Sequence, residues 1–458
     1  PPKRRASMVG HFMKKKLSPP TSSREALRPH AAGAWGWRRG VLSGLFMDWP
    51  ELSAEERKRI VFDALRRNTS YEDGHLLGFP GSFLDRRVFP KLPFLEGAPY
   101  LTCLLENPHH IGCHTIADFE PTFAGTQAIE RELLAICAQQ ILNAPADGYD
   151  GYVASGGTEA NVEALWIYRN EFRQSRGVGL TGVGVLHSAD THYSIAKGAN
   201  LLDLVDLEVP VDDSTRRMTS AGLDEALRRG ADAGVEAIIV VLNMGTTMFG
   251  SIDPIDPVVA ALERQGLPHR IHVDAAFGGF LYPLTHPDNP LSFRDPRISS
   301  FTLDAHKMLQ APYGTGIFLA RKGLLPYVQT PQARYVAGTD YTLCGSRSGA
   351  NAIAAWLILT AYGADGGRAF VRELVARTDR LATGLDRLGI RYFREPHMNV
   401  VTLRASDLAR EVAEAFQLVP DRHDDAPRWW KVVVMDHVSD AAIEAFLAAA
   451  EARAVTTR

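Results

Sequence analysis

Cysteine is scarce in this sequence, and long apolar runs are missing. The chain of 458 residues has four cysteines, at positions 103, 113, 137 and 344, and no two of them have CxxC spacing. Neither a zinc site nor a disulfide framework is indicated, and a reducing cytoplasm is the expected setting. No apolar run approaches the roughly 20 residues that a membrane-spanning helix needs. With 45% hydrophobic and 22% charged residues, the chain has the balance of a globular protein of two or three domains.

The net charge is small but unevenly distributed. Its formal value of -3 argues against a general nucleic-acid or membrane-surface role for the protein body. Residues 1–40 contain ten Lys or Arg against one acidic residue, while the rest of the chain has a net charge of -12. We predict a disordered basic tail over residues 1–46, with a transit peptide or an arbitrary start of the chain as alternatives. Met47 opens a well-formed segment, in which Ser53 can cap a helix with Glu56 three residues on.

Helical and apolar segments alternate from about residue 126 onwards, where Thr126 is a plausible cap for the first helix. Short apolar runs such as "EAIIVVLN" (236–243) predict strands that are buried on both faces, as in a mostly parallel sheet between helices. The sequence therefore predicts an α/β fold. We divide it into an N-terminal helical and extended segment (47–125), a large domain (126–365) and a small C-terminal α+β domain (366–458).

Polar residues stand at the ends of several predicted strands. Ligands bind parallel sheets at the carboxyl ends of the strands, so His187, Asn243, Asp274 and Lys307 are expected near one edge. Lys307 lies near the end of the run "SFTLDAHKML" (300–309). It is either a surface residue or an amine that forms a Schiff base. "SGGTEANVEAL" places small residues and Thr158 where a strand turns into a helix, which is typical of an anion site. Its spacing differs from GxGxxG and from a Walker loop.

Two further residues have both an ordinary and a functional interpretation. His192 is either a helix cap or an imidazole that stacks on a flat ring. Asp274 is either a turn cap or a buried carboxylate that partners a pyridinium nitrogen. An anion site, a ring stacker, a pyridinium partner and Lys307, in that order on one sheet, are the parts of a site for pyridoxal 5'-phosphate (PLP). The combination indicates this cofactor far more strongly than any one part.

The motifs "SGGTEAN", "THYS", "NMGTT", "HVDAAFGG" and "DAHKML" resemble those of the group II PLP-dependent decarboxylases of fold type I. These enzymes act on glutamate, aromatic amino acids, histidine or serine. The resemblance covers roughly residues 100–435, and it implies a mostly parallel seven-stranded sheet. "CGSRSG" (344–349) and "WWKVVVM" (429–435) look most like the histidine and serine branch. "FAGTQAIERELL" is also similar to archaeal tyrosine/aspartate decarboxylases and to sphingosine-phosphate lyases.

The resemblance assigns cofactor-binding roles to particular residues. Lys307 forms the Schiff base, Asp274 pairs with the pyridine nitrogen, and His192 stacks on the ring. The remaining residues implied to contact the cofactor are Gly157, Thr158 and His306 at the phosphate, Ala276 under the ring, and Thr247.

Other implied roles concern a second subunit and the substrate. Gly345 and Ser346 resemble a segment that reaches the phosphate of a neighbouring subunit, so a homodimer with shared active sites is implied. Tyr335 resembles the tyrosine that returns a proton to Cα, with Tyr341 and His192 as alternatives. Arg347 is either a ligand of the substrate carboxylate or part of a structural ion pair.

Three histidines, His109, His110 and His114, lie close together in "NPHHIGCHTIADFEPTFAGT". Their spacing fits no zinc template, and no metal site is predicted. We expect them, His110 in particular, to contact the substrate or a subunit interface, although structural roles are an equal alternative. The segment departs from the animal decarboxylases and leaves the choice of substrate open.

The expected function is PLP-dependent decarboxylation of an L-amino acid to its amine and CO2. One alternative is a PLP-dependent carbon–carbon lyase acting on a phosphorylated amino alcohol, and another is a PLP-fold protein without catalysis. The presence of Lys307 and Asp274 argues against the last. A histidine rather than an aromatic residue at the stacking position argues against an aminotransferase.

Overall fold

The computed structural model describes residues 48–70, 77–78, 84–105, 115–116, 121–179 and 181–456. The predicted basic tail and the histidines at 109, 110 and 114 lie outside the described residues. Within the described part of the chain, no helix is both long and apolar enough to cross a membrane.

The large sheet has seven strands in the order β1-β7-β6-β5-β4-β2-β3. Neighbouring strands are parallel except at β7, which runs antiparallel to both β1 and β6. This arrangement confirms the fold class predicted from the sequence. The strands are β1 (Tyr149–Ala154), β2 (Val183–Ser188), β3 (Val205–Val209), β4 (Ala237–Asn243), β5 (His269–Ala275), β6 (Ile298–Asp304) and β7 (Gly316–Arg321).

Helices cover both faces of this sheet, and alternate residues of each strand enter different cores. In β4, Ile239 and Val241 join one hydrophobic cluster, whereas Val240 and Leu242 join the other. All seven residues of β4 are buried, which explains its unbroken apolar sequence. The helices within this part are α4 (Gly157–Arg176), α5 (Ser194–Leu201), α6 (Ser220–Asp232), α7 (Ile255–Gln265) and α8 (Tyr282–Thr285).

Strand β3 was not predicted, because its sequence has no continuous apolar run. As an edge strand it buries only alternate residues, with Leu207 and Val209 inside and Asp206 and Glu208 exposed. Half-buried strands of this kind are marked by alternation rather than by an unbroken apolar run.

The N-terminal helices are α1 (Ala54–Arg67), α2 (Pro99–Leu105) and α3 (Ala124–Ala135). The predicted capping box of α1 is present, with Ser53 and Glu56 hydrogen-bonded to each other's backbone. The predicted cap of α3 is wrong. Thr126 lies inside the helix, and Asn68 supplies the capping oxygen to the backbone N–H groups of Gly125 (2.9 Å) and Thr126 (3.2 Å).

Helix α9 (Gly349–Leu388) is kinked at Gly363, which has a φ of 59°. The segment before α1 packs into the kink: the Ala364 N–H donates to the Trp49 carbonyl, and the Leu52 N–H donates to the Thr360 carbonyl. A Cβ at Gly363 would lie 2.5 Å from the backbone nitrogen of Glu51. The kink therefore requires glycine both for its backbone conformation and for this close approach.

A second, antiparallel sheet follows α9, in the order β10-β11-β9-β8. Together with α10 and α11 it has its own hydrophobic cluster, which includes Leu381 and Leu385 of α9. The predicted boundary at residue 366 falls inside α9, so the division into domains stays a prediction. The elements are β8 (Tyr392–Phe393), β9 (Val400–Arg404), α10 (Arg410–Ala415), β10 (Val419–Pro420), β11 (Trp429–Val433) and α11 (Asp440–Thr456).

Candidate active site

A cavity of about 210 Å³ lies at the carboxyl edge of the large sheet. Strands β4, β5 and β6 are parallel; β4 and β6 end beside it at Asn243 and Asp304, and Asp274 is the penultimate residue of β5. Polar residues far apart in the chain meet here for that reason. The described residues that line the cavity are Gly157, Thr158, Asn161, His192, Tyr193, Asn243, Gly245, Thr246, Thr247, Asp274, Ala276, Phe277, Asp304, His306 and Lys307.

One wall of the cavity is the N-terminus of α4, a helix of 20 residues that begins at Gly157. The first backbone N–H groups of a helix have no partner within it and favour negative charge. Strand β7 starts against this turn: a Cβ at Gly316 would lie 2.4 Å from the carbonyl carbon of Gly156. A close backbone contact therefore joins Gly156, just before α4, to Gly316 at the start of β7.

Asp304, His306 and Lys307 form a group of ionisable side chains beside the start of α4. Asp304 Oδ1 lies 2.7 Å from His306 Nδ1, and Asp304 Oδ2 lies 3.9 Å from Lys307 Nζ. The Gly157 N–H also donates to Asp304 Oδ2 (3.3 Å). Burial raises the pKa of Asp304, while the charges of His306 and Lys307 oppose that shift. The Lys307 side chain keeps 33% of its surface exposed, so its amine can be reached from the cavity.

Asp274 is a buried carboxylate with no ion pair to a described Lys, Arg or His. Its oxygens are held by hydrogen bonds alone, because Ala276 N donates to Oδ1 (3.0 Å) and Asn161 Nδ2 donates to Oδ2 (2.9 Å). A buried carboxylate is costly unless it is hydrogen-bonded and paired. The lining position of Asp274 leaves it available to a cationic ligand group.

His192 is half-buried at the turn before α5. Its Nδ1 accepts from the Ser194 backbone N–H (3.3 Å) and lies 2.9 Å from Ser194 Oγ. Burial lowers the pKa of His192, which favours the neutral imidazole near pH 7. The Tyr193 ring lies 4.1 Å from the His192 ring and also lines the cavity.

The loop after β4, which lines the cavity with Gly245, Thr246 and Thr247, is held from the small sheet. Lys431 Nζ donates to the Thr247 carbonyl (3.0 Å), and Thr402 Oγ1 donates to the Met248 carbonyl (2.7 Å). Lys431 and Thr402 are directly paired across β11 and β9. Burial lowers the pKa of Lys431, and Lys307 adds to the shift.

Eight of the site residues predicted from the sequence therefore meet at one cavity. They are Gly157, Thr158, His192, Thr247, Asp274, Ala276, His306 and Lys307.

The other predicted site residues lie elsewhere. Tyr335 is 92% exposed, and Ser346 is exposed on the same connection between β7 and α9. Arg347 is buried, where it pairs with Glu130 and donates to the Val153 carbonyl (3.1 Å). This ion pair agrees with a structural role for Arg347, the alternative to binding the substrate carboxylate. His110 lies outside the described residues.

His187 also points elsewhere, although it was expected near this edge. Its Nε2 lies 2.7 Å from Asp206 Oδ1, on the neighbouring edge strand β3. His187 is in register with Val241, two residues before the end of β4 at Asn243, so it lies further from the edge of the sheet than the residues that line the cavity.

Asn161, Asp304 and His272 were missed as parts of the site. Asn161 and Asp304 line the cavity, and His272 donates to Asn161 from behind it. All three stand inside the quoted motifs "SGGTEAN", "DAHKML" and "HVDAAFGG". Asn161 could have been found from helical spacing, because it follows Gly157 by four residues and shares its helix face.

The comparisons with known proteins agree on a family. A family model described as "Pyridoxal-dependent decarboxylase conserved domain" matches residues 121–405. Tryptophan decarboxylase from Clostridium sporogenes is 41% identical and covers 85% of this chain and 94% of its own. A probable L-tyrosine/L-aspartate decarboxylase from Methanocella arvoryzae is 32% identical, over 76% of this chain and 91% of its own. The solved structure of Lactobacillus brevis glutamate decarboxylase has a TM-score of 0.63 at 19% identity, over 91% of this chain and 95% of its own, which indicates the same fold.

Proposed function

Because the chain belongs to the pyridoxal-dependent decarboxylase family, we propose that its substrate is an aromatic L-amino acid and, within that class, L-tryptophan. The chain is a PLP-dependent carboxy-lyase that converts an L-amino acid to its amine and CO2. The observation that carries the choice of tryptophan is the 41% identity to a tryptophan decarboxylase across 94% of that protein. These relatives lend no support to the carbon–carbon lyase or non-catalytic alternatives.

The residues at the cavity fit PLP. The buried carboxylate of Asp274, which lacks a cationic partner among the described residues, can pair with the pyridine nitrogen. The N-terminus of α4 at Gly157 and Thr158, together with His306, can hold the phosphate. Lys307 offers an accessible amine to the aldehyde carbon. The lining residues His192, Ala276 and Thr247 can enclose the ring.

When bound, PLP supplies an electron sink for the electron pair that remains on the substrate Cα once CO2 has left. The chain's own residues prepare the site for that charge movement. The buried carboxylate of Asp274, shielded from water, would pair with the ring nitrogen. Burial lowers the pKa of His192, so its flat imidazole ring is neutral near pH 7 and can face the cofactor ring.

The composition of the cavity supports an aromatic rather than an acidic substrate. Lys307 is the single lysine or arginine among the described lining residues, and the cofactor requires its amine. Aspartate or glutamate would bring a second carboxylate without a cationic partner here, which is unfavourable at a partly desolvated site. The rings of Tyr193 and Phe277 line the cavity and can contact an indole.

We assign the return of a proton to Cα to Tyr335. We also propose that the working protein is a homodimer. The exposure of Tyr335 and Ser346 supports a role in a neighbouring subunit's site. Exposed apolar side chains support such an interface: Leu92, Phe94, Leu101 and Tyr362 are between 42% and 58% exposed. We also assign the enzyme to the cytoplasm, since Cys137 and Cys344 are free thiols.

CO2 release from a panel of L-amino acids tests this proposal. The panel contains tryptophan, tyrosine, DOPA, histidine, serine, glutamate and aspartate, each at the same concentration with added PLP. We expect the highest kcat/KM with tryptophan, lower values with the other aromatic substrates, and none with the acidic ones.

The matched controls are Lys307→Ala, which should be inactive, and Lys322→Ala, an exposed lysine outside the cavity, which should match the wild type. A preference for an acidic or hydroxylated aliphatic substrate would overturn the aromatic assignment. Activity in Lys307→Ala would overturn the site.

A further inference from the structure

Both the NH2 group and the oxygen of the Asn161 side-chain amide form hydrogen bonds within the protein. It is 1% exposed and follows the start of α4 by one turn. Its Nδ2 donates to Asp274 Oδ2 (2.9 Å) and to Ser194 Oγ (2.9 Å). Its Oδ1 accepts from His272 Nε2 (3.0 Å). One amide therefore contacts Asp274 directly and His192 through Ser194, the two residues that we assign to the cofactor ring.

The direction of each hydrogen bond follows from the chemistry of the groups. A carboxylate can only accept, so the NH2 group of Asn161 must face Asp274 and its oxygen must face His272. His272 then carries its hydrogen on Nε2, and its Nδ1 accepts from Ser300 Oγ (2.7 Å). Because burial lowers the pKa of His272 to about 4, the ring remains neutral near pH 7 and holds one tautomer.

The second arm of the network ends on His192. Ser194 Oγ accepts from Asn161, so its own hydrogen is free to go to His192 Nδ1, 2.9 Å away. The Ser194 backbone N–H, which can only donate, points at the same nitrogen. His192 Nδ1 is therefore an acceptor, and the neutral ring carries its hydrogen on Nε2.

We propose that Asn161 is a positioning residue that orients the Asp274 carboxylate and, through Ser194, sets the tautomer of His192. The proposal rests on the proposed roles of Asp274 and His192 at the cofactor. Asn161 lines the cavity, but it acts through Asp274 and Ser194 rather than on the reacting atoms. Its amide is the one group among the described residues that is hydrogen-bonded to both arms.

Asn161→Asp tests the proposal because it keeps the size of the side chain and replaces the donor by an acceptor. An aspartate would accept from Ser194 Oγ, which then has no hydrogen to give to His192. Only the longer bond from the Ser194 backbone N–H (3.3 Å) would then keep His192 Nδ1 an acceptor, so we expect the tautomer with the hydrogen on Nδ1 to become populated. The measurement is the ¹⁵N spectrum of cofactor-free protein labelled at histidine, with the His192 signals assigned through His192→Gln.

The affinity for PLP gives a second measurement, by fluorescence titration of the cofactor-free protein. We expect the Kd to rise about tenfold or more in Asn161→Asp, since Asp274 Oδ2 loses its donor and the carboxylate is no longer held in place. Asn170→Asp is the matched control, on the same helix, where the Asn170 amide bonds only the Tyr327 carbonyl among long-range contacts (2.9 Å). This control should leave the His192 spectrum and the Kd as in the wild type.

Asn161→Leu covers the case in which Asn161→Asp does not fold. It removes the donor to Asp274 without adding charge, so it should raise the PLP Kd, while Ser194 can still donate to His192. A wild-type His192 spectrum in folded Asn161→Asp, or a wild-type Kd in folded Asn161→Leu, would overturn the proposal. The tautomer is measured without substrate, so a failure of tryptophan decarboxylation in the wild type would overturn the proposed function alone.

Discussion

Single residues behind the cavity hold the residues that line it. Asn243 lines the cavity, and its backbone N–H and side-chain Nδ2 both donate to Asp253 Oδ2, at 2.9 and 2.6 Å. Burial raises the pKa of Asp253 to about 6. His272 has a similar place behind Asn161. The positions of the lining polar groups therefore depend on buried titratable groups that do not touch the cavity.

His272 makes the stability of the protein depend on pH. Burial lowers its pKa to about 4 in the folded state, whereas an unfolded histidine has a pKa of about 6.5. The unfolded chain therefore binds the proton more readily as the pH falls below about 6.5, and folding loses stability down to about pH 4. Between pH 7 and pH 5 this group alone removes about 2 kcal/mol.

His272→Gln should therefore reduce the loss of stability between pH 7 and pH 5 by about that amount, because glutamine does not titrate. The measurement is the free energy of unfolding in urea at both pH values. His423→Gln, at a position outside the hydrophobic clusters, is the control and should keep the wild-type pH dependence. Equal pH dependence in the wild type and His272→Gln would contradict the neutral, buried state of His272.

At the scale of elements, the phosphate end of the site depends on how α4 and β7 meet. The start of β7 lies against the residue that precedes α4, and glycine at position 316 makes the approach possible. The start of α4 also contacts β6, because the Gly157 N–H donates to Asp304. Three elements thus share one corner, so a displacement of any of them changes the first turn of α4.

Gly316→Ala should lower both the stability and the affinity for PLP. Its Cβ would lie 2.4 Å from the Gly156 carbonyl carbon, so α4 or β7 must move. Overpacking of this kind typically costs about 1–3 kcal/mol. The measurements are the urea unfolding midpoint and the PLP Kd of the cofactor-free protein.

Gly97→Ala is the control for this change, because its Cβ would have no neighbour within 4 Å. The control should leave both quantities at their wild-type values. If Gly316→Ala bound PLP as tightly as the wild type, the first turn of α4 would not be part of the cofactor site.

At the scale of the whole molecule, the proposed homodimer makes two chains contribute to each active site. Lys307 lines the cavity of its own chain, whereas Tyr335 is exposed to solvent in the same chain. A chain with an inactive lysine could then still supply its tyrosine to the partner. In a symmetric dimer, each site would receive the lysine of one chain and the tyrosine of the other.

Mixing two inactive variants tests this arrangement. Lys307→Ala and Tyr335→Phe homodimers should each have little or no activity. After unfolding and refolding together in equal amounts, half of the dimers are mixed, and each has one intact site. We expect about a quarter of the wild-type activity to return. No recovery, with mixed dimers present by mass, would place lysine and tyrosine in sites of a single chain.

The sequence by itself determined the fold class and the cofactor, and it predicted the residues that we propose to contact it. Buried parallel strands must be apolar throughout, so β2, β4 and β6 were recognisable, and the polar residues that interrupt this pattern marked the edge where Asp274 and Lys307 lie. These are local signals, because each depends on neighbours in the chain.

The tertiary structure decided what depends on contacts between distant segments. Asn68 rather than Thr126 caps α3, and Glu130 pairs with Arg347 across more than 200 positions of sequence. The edge strand β3 became recognisable only once its place in the sheet was known. The link from His272 through Asn161 to Asp274 joins α4 and β5, and no spacing in the sequence encodes it, because hydrogen-bond partners are set by the packing of the elements.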